Sequence, residues 1–397
     1  MKNRVTKSAV KAHYFSLLFR EMRLLLRAKP LFFAVFCYPL IVILFFTSLL
    51  HQGVIEKLPV TIVDMDKTVA SRALIRDMAA TPEVLVSRQD DSLYNAKQAL
   101  LSGDVYGIVY IPPQFEARLL ANESPEVTTF YNNQYMSAGS ALQRGFMSTL
   151  LATVSNYQAD TMMRQGMARP IAVAQLSPLK LEVHTVFNPT LNYIYTLING
   201  IVPTLLQILI MMTMVYTVIR DKYKAGGMAV PIAMANGSFT RYLVNKMLPY
   251  LLWFVLVHLV LDAILILFFD LPVRGSLGIL YLGTVLFIIT AQLWAMIFAL
   301  WLPKKVLNYG AASSFSSPAF GFIGLFFPRI AMSWYAIAWG AVLPITWYVE
   351  IRLDQTLRGH EFPYNLMPLL WLILIGMICY AGVMLRMHQL NKEAKRV

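Results

Sequence analysis

Residues 31–50 read LFFAVFCYPLIVILFFTSLL, a stretch without Asp, Glu, Lys or Arg. About 20 such residues make a helix that crosses the ~30 Å hydrocarbon layer, where a helix satisfies its own backbone groups in the absence of water. The stretch decides the class because it recurs. Runs free of acids, Lys and Arg follow at 183–219, 247–261, 275–303, 306–328 and 362–385, the second of these continuing to 269 past the single acid Asp262. Six transmembrane helices are therefore expected, one near the start and five after a long polar interval. Hydrophobic residues at 57%, charged residues at 14% and a mean hydropathy of +0.57 agree with an integral membrane protein.

The first apolar run follows a basic segment, as a signal peptide does. Its core is too long, and His51-Gln52-Gly53 lacks the small-x-small pattern a peptidase reads, so an uncleaved anchor is expected. The only cysteines, Cys37 and Cys379, lie inside predicted spans. The polar interval must then be stable without disulfides.

The formal charge of +13 is a topology signal. Lys and Arg number 8 in residues 1–29, 5 in 220–246, 2 in 303–305 and 4 in 386–397, against only Glu21, Asp221 and Glu393. The interval 51–182 instead carries 11 basic and 13 acidic residues. By the positive-inside tendency both termini and the 220–246 loop are cytoplasmic and the interval is outside, so the basic excess does not point to nucleic acid. A seventh uncharged run, 330–349, is cut by Pro344, and spanning would put the basic C-terminus outside. It is expected to be re-entrant or interfacial.

Two soluble parts are legible. Within 5–29, His13, Ser16, Arg20, Arg23 and Arg27 fall on one helical stripe and Tyr14, Leu17, Leu18, Leu24 and Leu25 on the other side. That pattern fits a membrane-surface helix whose cations meet lipid headgroups or a partner, or a plain basic anchor. The interval alternates strands (59–64, 83–87, 105–111, 127–131) with helices (68–80, 92–102, 113–121, 135–165), and 181–187 reads as a last strand. A compact α/β domain between the first and second spans is expected.

No G-x-x-x-x-G-K-[ST], HExxH or paired Cys/His spacing occurs, so no catalytic residue and no metal ligand is expected in this chain. Asp64 and Asp66 at a strand end read as turn residues rather than a cation site. The acceptor-like Asn122-Glu123-Ser124 is followed by Pro125 and carries no weight. Inside the spans, Asp262 has His258 one turn earlier, which fits either a proton or substrate contact or a hydrogen-bonded interhelical link. The second span opens with Asn188, Pro189, Asn192, Tyr193, Tyr195 and Asn199, polar groups that should face protein or an aqueous path. Asn192, Tyr193, Tyr195, Asn199 and Asp262 are the candidate substrate path.

An amphipathic helix, one span, a large α/β insert and five spans together resemble the membrane subunit of an ABC-2-type exporter, particularly the drug-efflux-like permeases of Gram-negative bacteria. Phe187-Asn188-Pro189 at the second span, Arg220-Asp221-Lys222 leaving it, VYGIVYIP at 105–112 with Phe115, and LPITWY at 343–348 with Arg352 and Gly359 carry the resemblance, which covers essentially the whole chain. It implies residues 1–29 as a cytoplasmic helix, 30–50 as the first span, 51–187 as a periplasmic domain, 188–386 as five spans with the re-entrant segment near 330–349, and 387–397 as a cytoplasmic tail in the inner membrane. It further implies a homodimer or heterodimer with a second permease, a separate subunit that binds ATP and Mg, and a periplasmic adaptor. The ATPase-coupling stretch would be Arg220, Asp221, Lys222, Tyr223, Lys224, Gly226 and Gly227, where relatives carry an acidic, Gly-Thr-bearing sequence. Outward movement of a hydrophobic or amphipathic compound is the function implied. The competing readings are an envelope scaffold or receptor without transport, and an ion-coupled transporter built on Asp262 and His258.

Overall fold

The structure, a computed structural model, describes residues 16–51, 53–121, 123, 126–171, 187–188, 192–224 and 227–396. His13, Asn122, Pro189, Gly226 and all but the last residue of the strand expected at 181–187 lie outside them. Two compact units emerge, Met1–Gly53 with Val186–Val397, and Val54–Thr185. The first opens with helix α1 (Ser16–Arg27) and the apolar helix α2 (Lys29–Leu49). A π turn at Phe33–Cys37 precedes Pro39 in α2. Proline has no N–H to give the carbonyl four residues back, and an unpaired carbonyl is costly in hydrocarbon. Trp253 supplies the donor, its Nε1 lying 2.6 Å from the Val35 oxygen.

The second unit is the expected α/β domain. Strands β1 (Leu58–Asp64), β2 (Val84–Gln89), β3 (Gly107–Ile111) and β4 (Thr128–Tyr131) form one sheet in the order β2-β1-β3-β4, with β4 antiparallel and the rest parallel. Helices α3 (Val69–Ala80), α4 (Leu93–Ser102), α5 (Phe115–Leu120) and α6 (Met136–Arg164) complete it. Both sheet faces are buried, which is why β1 reads as a continuous apolar run. Val60 and Ile62 pack with Leu74, Met78, Leu142 and Phe146, while Val63 and Ile108 meet Ala96 on the other face. Asp64 accepts from the backbone of Asp66 and Lys67, and Asp66 accepts from Phe115 and Glu116 at 3.1 and 3.0 Å. The two carboxylates shape a turn and cap α5.

The first unit resumes with α7 (Ile194–Tyr223), α8 (Ala229–Met234), α9 (Phe239–Phe269), α10 (Leu277–Trp301), α11 (Lys305–Ser316), α12 (Ala319–Phe322), α13 (Trp334–Val342), α14 (Pro344–Leu353) and α15 (Phe362–Arg396). Among the described residues five helices are long and apolar enough to cross a membrane: α2, α7, α9, α10 and α15. Of its apolar stretch 72% is buried in α7 against 33% in α2 and α9, so α7 is the central helix. The run 306–328, expected as a single span, is instead broken. Its α11 has 12 residues, roughly 18 Å at ~1.5 Å per residue, too short to cross alone. Pro318 caps the short α12 that follows. The run 330–349 is likewise divided at Leu343-Pro344 into α13 and α14, with Pro344 in the first turn of α14, where its missing N–H costs nothing. A π turn at Asp354–Arg358 and Gly359 at φ 74° then stop the chain before α15.

Trp253→Phe keeps an aromatic ring beside Phe36 but removes the donor to Val35. We expect a loss of about 1–3 kcal/mol, the cost of one buried polar group left unpaired, seen as a lower thermal midpoint of the detergent-purified protein; an unchanged midpoint would refute the Trp253 tie.

Candidate functional site

Helix α9 carries Tyr242, Lys246, Tyr250, Phe254, His258 and Asp262 at intervals of four, all of them buried. A four-residue step winds by roughly 40° around a helix of 3.6 residues per turn, so over five steps the row turns by roughly 200° and its two ends meet different neighbours. It holds two ionic clusters, one at each end.

The first cluster joins α1, α7 and α9. Lys246 has no exposure; its Nζ donates to Glu21 Oε2 at 3.0 Å, Asp221 Oδ2 at 2.8 Å and the Thr217 carbonyl at 3.0 Å. Arg20 Nη2 reaches both Asp221 oxygens at 2.7 and 2.8 Å and Glu21 Oε1 at 2.7 Å. Tyr242 and Tyr250 donate to Asp221 and Glu21 at 3.3 and 3.4 Å. Burial works against the Arg20 charge, yet Asp221 and Glu21 hold its pKa above the ordinary value. Two cations and two carboxylates thus neutralise each other where water is scarce.

The second cluster joins α7, α9, α10 and α14. Arg352, wholly buried, reaches Asp262 Oδ1 at 2.6 Å, Asn199 Oδ1 at 2.9 Å and the Tyr348 hydroxyl at 3.1 Å. Tyr281 donates to the other Asp262 oxygen at 3.0 Å, and Asn199 donates to Thr356 at 2.8 Å. Asp262 is thereby an interhelical link. His258 makes no hydrogen bond to it; its Nδ1 lies 2.7 Å from the Phe254 carbonyl and its ring stands edge-on to Tyr348 and Phe287.

The remaining residues picked from sequence separate by role. Asn192 caps the start of α7 through Ile194 N at 2.9 Å, Tyr193 N donates to the Gly53 carbonyl at 2.6 Å, and Tyr195 OH donates to the Asp270 carbonyl at 3.1 Å. With Asn199 in the second cluster, the polar opening of this helix faces protein. Lys222 Nζ caps the end of α10 through the carbonyls of Ala299, Leu300 and Leu302 at 3.0, 3.2 and 2.8 Å. Tyr223 OH donates to the Pro303 carbonyl, and Gly227 closes a turn on Lys224 at 2.8 Å. Tyr223 and Lys224 are exposed, as are Arg23 and Arg27; Arg220 is half-buried. Gly226 is outside the described residues.

Sequence reasoning missed Glu21, Lys246, Tyr281 and the burial of Arg352. Two signals pointed toward them: Glu21 is the lone acid among the bases of 1–29, and the four-residue recurrence on α9 links Lys246 to Asp262. Lys246→Met would leave Glu21 and Asp221 sharing Arg20 in a buried site, and Asp262→Asn would strand Arg352. Each is expected to cost about 3–5 kcal/mol, whereas Glu21→Gln with Lys246→Met and Asp262→Leu with Arg352→Met should recover most of it. Thermal unfolding of the wild type and these four variants in one detergent decides, and doubles less stable than their singles would exclude charge imbalance as the cause.

No curated protein sequence matches the chain closely. The family model described as ABC-2 family transporter protein matches residues 29–385, which takes in both ionic clusters apart from Arg20 and Glu21, together with the α/β unit. With five apolar helices of spanning length among the described residues, α7 included, the chain belongs to the ABC-2 family of membrane transporter proteins.

Proposed function

We propose that this chain is the membrane-spanning subunit of an ATP-driven exporter of the drug-efflux-like group, in a bacterial inner membrane with both termini cytoplasmic and the α/β unit in the periplasm. A separate subunit binds and hydrolyses ATP with Mg, a second permease, identical or not, completes the bundle, and a periplasmic adaptor receives the cargo. The cargo is a hydrophobic or amphipathic compound moved outward. The observation that carries the reading is the construction of the basic end of the bundle. There the exposed Tyr223 and Lys224 and the short helix α8, with Ala229, Val230 and Ala233 exposed, stand on a root fixed to α1 and α9 by the first cluster. A push on this tip by a closing ATP-binding pair moves α7 and α9 together as one body.

The same geometry favours transport driven from outside the bundle over transport coupled to a proton in it. Both Asp262 oxygens are engaged, one by Arg352 and the other by Tyr281, so the carboxylate serves as a tie between helices. The apolar surfaces left on α2 and α9, the least covered spans together with α15, are available to lipid and to the second permease.

Lys224→Glu combined with Val230→Asp should cut recovery of the ATP-binding subunit from the native host by about tenfold, a loss of roughly 1.4 kcal/mol of binding, with the thermal midpoint of the permease unchanged. Full recovery of the subunit with the doubly altered tip would reject this docking surface.

A further inference from the structure

Arg20, Arg23 and Arg27 of α1, with Arg220, Asp221 and Lys224 at the end of α7, line a cavity of about 320 Å³. Its charge is unbalanced. Asp221 is consumed by Arg20, Lys246 and Tyr242, and Glu21 by Arg20, Lys246 and Tyr250, so these carboxylates and cations cancel. Arg23, Arg27, Arg220 and Lys224 remain, and among the described residues no hydrogen bond or ion pair occupies their side chains. Arg220 Nη1 is buried with no acceptor. In sequence, residues 222–246, which follow Asp221, contain no Asp or Glu. Four cations around one hollow repel each other, and a buried N–H without an acceptor is costly, so the site is completed by an anion with several acceptor oxygens.

The depth of the hollow selects the anion. About a quarter-turn around α1 from the arginines, Phe19, Met22 and Leu26 are exposed, and Ala28 leads directly into the spanning helix α2. An exposed apolar strip flanked by arginines lays a helix in the plane of the interface, with its cations at headgroup level. We propose that this cavity is a binding site for the phosphate headgroup of an anionic phospholipid, which bridges Arg23 and Arg27 of α1 to Arg220 and Lys224 of α7. The shared chemistry is a phosphate ester and its source is the bilayer. Bound there, the lipid fastens α1 to the root of the α7–α8 tip from the side opposite Lys246.

The full-length protein in detergent, titrated with short-chain phosphatidylglycerol, phosphatidylcholine or inorganic phosphate, tests the site. Phosphatidylglycerol at roughly 100 times its Kd should raise the thermal midpoint by about 5 °C, phosphatidylcholine should not, and Arg220→Gln should weaken phosphatidylglycerol binding about tenfold. Arg23→Gln with Arg27→Gln, two exposed positions whose change does not threaten folding, should do the same, while Lys97→Gln, a cation of the α/β unit, should change nothing. Equal stabilisation by phosphatidylcholine, or wild-type affinity in the pocket variants, overturns the site. Stabilisation by millimolar phosphate alone overturns the lipid as its source. Recovery of the ATP-binding subunit is scored in the same preparations, so that loss of lipid and loss of partner are read separately. If Arg220→Gln sheds that subunit but keeps phosphatidylglycerol affinity, the pocket serves a protein carboxylate and the lipid proposal falls.

Discussion

Lys246 has no exposure to solvent, and the bundle around it supplies the acceptors that its Nζ requires. It needs Glu21 from α1 and Asp221 from α7, and these need Arg20, so three helices meet at fixed azimuth and height. Buried ion networks add little net stability over well-packed apolar groups, because desolvation offsets most of the attraction. What they add here is register. A short amphipathic helix held by leucines alone slides along its groove at small cost, whereas the Arg20-Glu21 pair meets Asp221 and Lys246 in a single position.

The second cluster applies the same constraint at the other end of α9. Arg352 on α14 is held by Asp262, Asn199 and Tyr348, and through Tyr281 the tie reaches α10. Helices α13 and α14 are too short to be placed by their own hydrophobic length. Of the two, α14 is placed by this guanidinium and by Gln207 of α7, whose side-chain oxygen accepts from Ile345 N at 3.0 Å in its first turn. Pro249, flanked by Lys246 and Tyr250 of the first cluster, removes one rung of the helical ladder in α9. The point of flexure in α9 is thus bracketed by side chains tied to Glu21 of α1, an arrangement suited to passing motion along the bundle in discrete packings.

The α/β unit was legible almost element by element. Its strands alternate or run apolar between turn residues, its helices begin at Thr68 and Ser92 with side-chain caps, and each of these signals is local. The strongly apolar spans were legible for the same reason. The stretch after Trp301 was not, because an uncharged run looks alike whether it crosses, bends or re-enters, and Pro318 and Pro344 divide it. Asp262 drew notice as an acid in an apolar run, while its partner Arg352 entered only among the residues that carry the family resemblance. A charge count treats every cation as solvated, and a buried pair violates that premise.

Composition, hydropathy and charge placement by themselves determined a multi-pass membrane protein with an α/β insert after the first span, because helix length against bilayer thickness and strand periodicity are properties of contiguous residues. The tertiary structure alone decided which polar residues meet: Glu21 with Lys246, Asp262 with Arg352, and Arg220 with the arginines of α1. These pairs are tens to hundreds of positions apart in the chain, and their energies depend on the low dielectric and the geometry that exist only once the helices have packed.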